Sequence, residues 1–81
     1  MNIRVQFHSY FKELAAASET DQAMAPGGNI ADLLSLVLTR FPKLRPMRQS
    51  MLVAVGVEYQ GADYTLKDGD EVSLFPPVQG G

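Results

Sequence analysis

The first residues alternate in polarity, with Ile3, Val5 and Phe7 on one side and Asn2, Arg4 and Gln6 on the other, the period-two pattern of a strand with one buried face. A short stretch, Tyr10 to Ala17, then places Phe11, Leu14 and Ala15 on one helical face, with Ser9 positioned to cap it. Gln22 to Ala25 are weakly strand-like, and Pro26-Gly27-Gly28 breaks the chain ahead of Asn29, a favourable helix cap. From Ile30 the apolar residues Leu33, Leu34, Val37, Leu38 and Phe41 recur at +3, +4, +7, +8 and +11, tracing one stripe of an α-helix. Asp32 suits the positive end of its dipole, and Pro42 predicts its end.

The last third is richer in strand signals. Met51 to Val57 is apolar and β-branched, with Val53, Val55 and Val57 on one face, and Gly56 marks a bulge or bend. Glu58 to Gly61 form a turn or short strand, Asp68-Gly69-Asp70 carry the chemistry of a tight turn, and Glu71 to Phe75 form the final strand. A long helix with a single apolar stripe needs one sheet face to cover it, which is the α+β solution. If the first and last strands pair in parallel at the sheet centre, the fold is a β-grasp: a mixed sheet of four to five strands on one main helix. The expected domain spans residues 1–75, followed by a flexible tail over 76–81.

Eighty-one residues suffice for one domain with one core, and 46% apolar against 20% charged residues argues for a folded chain. The absence of cysteine excludes a disulfide scaffold, a thiolate nucleophile and any cysteine-ligated metal. No run approaches the roughly 18 apolar residues of a membrane span, and the start lacks a basic region followed by an apolar core, so a cytoplasmic protein without membrane attachment is expected. A net charge of −2 gives no reason to expect a nucleic-acid partner. The charges are unevenly spread, however. Arg40, Lys43, Arg45 and Arg48 occupy a stretch with no acid between Asp32 and Glu58, whereas Asp63, Asp68, Asp70 and Glu71 crowd the last third. The helix dipole and solvation account for most of such a basic segment, and a docking patch for an acidic partner is the other reading.

Internal chemistry is sparse. His8 is the one imidazole, expected at the rim of the sheet, and one histidine without suitably spaced carboxylates makes no metal site. Asp68 and Asp70 are best explained as turn formers, and Gly27-Gly28 lacks the lysine and spacing of a phosphate loop. What remains is the ending, Phe75-Pro76-Pro77-Val78-Gln79-Gly80-Gly81. Two glycines make the thinnest and most supple peptide available, and the proline pair stiffens the approach to them. From Val78 to Gly81 the extended chain would reach about 14 Å, far enough to enter another protein's active site. A carboxylate reacts poorly because attack must expel oxide, so it would first need activation as a mixed anhydride by an ATP-using partner.

The ending, from Asp68-Gly69-Asp70-Glu71-Val72 through Phe75-Pro76-Pro77-Val78 to Gly80-Gly81, resembles that of the small, sulfur-carrying subunits of molybdopterin synthases. Val5-Gln6-Phe7 leading to Phe11-Lys12-Glu13-Leu14, and Leu52-Val53-Ala54-Val55, are similar to that family's first strand with its short helix and to its central strand. The resemblance implies a ubiquitin-like β-grasp that is not an enzyme on its own and binds no cofactor itself. It implies that an E1-like enzyme adenylates the Gly81 carboxylate with ATP and magnesium, and that sulfur then replaces one oxygen to give a thiocarboxylate. Gly80 and Gly81 would enter the large subunit of a heterotetrameric synthase, donating sulfur to cyclic pyranopterin monophosphate in molybdenum cofactor biosynthesis. Phe75, Pro76, Pro77 and Val78 would set the tail's exit and docking, although Phe75 could equally pack in the core. The resemblance departs at Gly56, where many members of that family have Asn. The alternatives are a thiamine-type sulfur carrier, which lacks the Phe-Pro-Pro approach, a ubiquitin-like modifier joined to lysines, and an interaction module with an inert tail.

Overall fold

The computed structural model describes residues 1–77. Strand β1 (Asn2–Phe7) leads through helix α1 (Phe11–Ala15) to β2 (Glu19–Ala23), and helix α2 (Ile30–Arg40) runs into a 3-10 helix (Pro42–Met47). Strands β3 (Leu52–Val55), β4 (Glu58–Tyr59) and β5 (Glu71–Phe75) complete a five-stranded sheet of order β2-β1-β5-β3-β4. The first and last strands do pair in parallel at its centre, with Val5 opposite Val72 and Phe7 opposite Leu74, and the other pairings are antiparallel. The architecture is therefore the α+β β-grasp that the hydrophobic pattern implies.

One face of this sheet meets α2. Ile3, Val5, Phe7, Val72 and Leu74 on the strands and Leu33, Leu34 and Val37 on the helix are buried in one core cluster. Burial of side chains this large contributes roughly 1.5–3 kcal/mol each. The helix begins where the sequence indicates. Asn29 Oδ1 accepts from the Asp32 N–H at 2.9 Å while Asp32 Oδ2 accepts from the Asn29 N–H at 3.0 Å, a reciprocal capping box.

Four local expectations need correction. Strand β2 lies at Glu19–Ala23 rather than Gln22 to Ala25, because register with β1 places it: Ile3 faces Gln22 and Val5 faces Thr20. Ser9 does not cap α1. It adopts a positive φ of 57° to turn the chain sharply out of β1, and the five-residue helix starts without a side-chain cap and ends at Ala16, φ 56°. Pro42 does more than end α2, since it opens the 3-10 helix, whose Leu44 is fully buried. Finally, β3 stops at Val55, so Val57 does not share the buried face of Val53 but stands 99% exposed in the turn to β4. Val55 pairs with Glu58 across that two-residue turn, in which Gly56 has a φ of +60°. Gly56 is thus a turn residue.

Candidate functional site

Alternation along β5 sends Val72 and Leu74 towards α2 and leaves Glu71, Ser73 and Phe75 on the open face of the sheet. Phe75 is therefore not a core residue. Its cross-strand partner is Leu52, and Ala54 aligns with both Ser73 and Tyr59, so Leu52 and Tyr59 share that face. On the other side, the chain leaving β1 is held against β5 by the His8 N–H, which donates to the Leu74 carbonyl at 3.1 Å. The His8 ring stacks on Phe75 with 4.3 Å between centroids and 11° between planes. Tyr59 meets Phe75 edge-on, at 6.2 Å and 72°.

The result is a row of three rings, His8, Phe75 and Tyr59, across the end of the sheet from which Pro76 and Pro77 continue. Tyr59 is 66% exposed and Phe75 half-buried, so the row is accessible and apolar, the composition of an interface centre. His8 Nε2 is buried without a hydrogen-bond partner, and the imidazole lies against Phe75 as an apolar plate. Towards β2 the same face becomes polar. Arg4 bridges Glu19 at 2.9 Å and Asp21 at 2.8 Å, and the hydrogen bond to Glu19, then that to Asp21, raises its guanidinium pKa further.

Of the residues singled out in the sequence, Phe75, Pro76 and Pro77 lie together at the end of the central strand, whereas Val78, Gly80 and Gly81 lie outside the described residues. Asp70 serves as a turn former, its Oδ2 accepting from the Lys67 N–H at 2.9 Å around Gly69 with φ +85°, whereas Asp68 ties that turn to the start of β1, its Oδ1 accepting from the Asn2 N–H at 2.7 Å. His8 is no isolated rim residue, because β1 delivers it onto Phe75. Sequence reasoning missed Tyr59 and Leu52 as parts of this surface. The signal was an aromatic on a two-residue strand, and only cross-strand register turns that into a location. Among the described residues, no group of three or more His, Asp or Glu side chains could hold a metal ion, and no helix is long and apolar enough to cross a membrane.

Comparison with known proteins bears on what this geometry serves. The molybdopterin synthase sulfur carrier subunit of Chlamydomonas reinhardtii is 31% identical, with both chains matched over their full length. Among solved structures, a putative molybdopterin converting factor subunit 1 from Pyrococcus furiosus superposes with a TM-score of 0.88 at 28% identity, covering 96% of this chain and 99% of that one. A chain from the Helicobacter pylori complex of subunits 1 and 2 of molybdopterin-converting factor gives a TM-score of 0.73 at 23% identity over the whole of both chains, a likeness of fold. Residues 5–81 match the ThiS family. A sheet with parallel terminal strands at its centre, matched over nearly its whole sequence, makes this chain a member of the ThiS family.

Proposed function

We propose that this chain is the sulfur carrier of a molybdopterin synthase. The observation that carries the reading is the position of β5: it is the central strand, anchored on both sides, and it ends at Phe75 with a ring on the open face and Pro76-Pro77 leading away. A peptide leaving such a strand starts from a rigid base, so Gly80-Gly81 would be presented at a defined reach. The full-length relative named as a sulfur carrier subunit supports the same reading.

In the proposed cycle, a Gly81 carboxylate oxygen attacks the α-phosphorus of ATP in an E1-like partner, where magnesium assists the departure of pyrophosphate. A hydrosulfide delivered by a sulfur donor then attacks the acyl carbon and expels AMP, leaving a thiocarboxylate. The loaded tail, Val78 to Gly81, inserts into the large subunit of a cytoplasmic heterotetramer, where its sulfur bonds to cyclic pyranopterin monophosphate and water then cleaves the acyl–sulfur bond, returning Gly81 as a carboxylate. The catalytic side chains belong to the partners. This chain contributes the docking face of His8, Tyr59 and Phe75 and the aim of Pro76 and Pro77. The Helicobacter pylori protein, solved in complex with its second subunit, is a precedent for such pairing.

Intact-mass measurement after incubation with an activating enzyme, ATP and a sulfur donor tests the reading. The expected result is exchange of one oxygen for sulfur at Gly81. An unchanged mass with every compatible activating enzyme overturns the carrier function, and adducts on lysines would point to a protein modifier.

A further inference from the structure

An apolar groove runs between α2 and the β3–β4 hairpin, beside the aromatic row. Ile30, Leu34 and Val53, all buried, line it from the core, and Leu52 and Tyr59 line it from the sheet. Among the described residues, Arg48 is the one charged side chain on its wall. The fold uses other arginines fully: Arg4 pairs with Glu19 and Asp21, and Arg40 donates to the Asp21 carbonyl, Gln22 Oε1 and Thr20 Oγ1. No ion pair or side-chain hydrogen bond among the described residues engages Arg48, which is half-buried. A partly desolvated cation on an apolar wall is one half of an anion site.

The chain itself carries a matching anion within reach. Phe75 pairs with Leu52, which sets their Cα atoms about 5 Å apart. The Ser50 and Met51 N–H groups both donate to the Met47 carbonyl, at 3.1 and 2.9 Å, so Arg48 lies about one helical turn, roughly 6 Å, back from Leu52. Val78 to Gly81 extend about 14 Å beyond the proline pair. That length suffices for a chain carried clear of the sheet by Pro76-Pro77 to turn back and set the Gly81 carboxylate on the Arg48 guanidinium. The residue types suit the contact. Two glycines let the backbone lie close to an apolar wall without a Cβ, and the two carboxylate oxygens match the guanidinium fork.

We propose that the Arg48 groove is a carboxylate site whose occupant is this chain's own terminus, Val78 to Gly81, an inference that takes the free Gly81 carboxylate from the carrier reading above. Tethering supplies an effective concentration in the millimolar range, so a weak contact is enough to populate the docked state. The site is also placed to be emptied. Leu52 and Tyr59 line the groove and share the open face with Phe75, so a protein that covers the aromatic row competes with the tail for the same side chains. Docking on the row and release of the terminus are thereby one event: the tail is held by its own domain until a partner displaces it.

The test is the backbone amide spectrum of the isotope-labelled full-length chain, without any partner, compared with three changes: a chain ending at Pro77, Arg48→Gln, and a chain whose Gly81 carboxylate is converted to the carboxamide. The carboxamide removes the charge and leaves Arg48 in place, so the test stays decisive should Arg48→Gln fail to fold. The expected result is that Arg48→Gln and the carboxamide each move the Leu52, Tyr59 and Gly61 amides more than half of the way to their positions in the chain ending at Pro77. Salt at about 500 mM should move the wild type in the same direction. Groove amides that do not respond to loss of the tail overturn the site. A tail effect that persists in both Arg48→Gln and the carboxamide overturns its carboxylate chemistry, and one that grows with protein concentration assigns the groove to the tail of a second copy and overturns the proposed occupant. Intact-mass measurement of sulfur exchange on the same wild-type sample separates the two readings: tail-dependent shifts without exchange leave the site standing and overturn the carrier function, whereas exchange without such shifts does the reverse.

Discussion

The imidazole of His8 lies flat on the ring of Phe75, 4.3 Å between centroids and 11° between planes. This contact ties the exit of the first strand to the last residue of the central strand, just before the proline pair. Together with Tyr59 it makes the end of the sheet a rigid aromatic platform from which the tail departs.

Phe75→Ala should therefore separate docking from folding. The ring is half-buried and outside the core, so the expected cost is about 1–2 kcal/mol of stability by urea denaturation. Binding to the large subunit should fall at least tenfold, as for an aromatic at an interface centre. A cost near that of a core phenylalanine, about 3–5 kcal/mol, would contradict the open-face placement.

His8→Phe should leave the fold as stable as wild type or raise its melting temperature. The buried Nε2 has no partner to lose, and an apolar ring of similar shape preserves the stack on Phe75. A clear drop in thermal denaturation would show that His8 makes a polar interaction essential to the fold.

Gly56 sits at φ +60° with open space where a Cβ would point, so any substitution there has a conformational cost and no steric one. Asn tolerates this backbone region far better than a β-branched residue. Gly56→Asn should stay within about 0.5 kcal/mol of wild type and Gly56→Val should lose about 1–2 kcal/mol.

Arg40→Ala should destabilise by about 1 kcal/mol, since its guanidinium is the tie between α2 and β2. The pairing of β1 with β2 directs the Asp21 carbonyl to the outer edge of the sheet, where Arg40 covers it. Removing it should also increase self-association at high concentration, measured by light scattering.

Deleting Gly81 takes no residue from the sheet, because β5 ends at Phe75. The shortened chain should melt with the wild type and yet show no oxygen-for-sulfur exchange by intact mass. Normal exchange on a chain ending at Gly80 would refute Gly81 as the required acceptor.

Strands β1 and β5, helix α2 and the proline-glycine ending are legible in the sequence because each announces itself locally, through a polarity period, a capping residue or a run of special backbone residues. The short polar strand β2 has no such signal. Its residues, Glu-Thr-Asp-Gln-Ala, become a strand only because β1 offers hydrogen bonds and Arg4 offers charge to Glu19 and Asp21. The 3-10 helix likewise follows from burying Leu44. The aromatic row depends on distance in sequence most of all. His8, Tyr59 and Phe75 come from three separate elements, and no local pattern relates them. The sequence alone determined the proline pair and the glycine pair on which the proposed carrier function rests. Tertiary structure decided what surrounds the tail's point of departure, since pairing register, a non-local property, brings the three rings and Arg48 to the same end of the sheet.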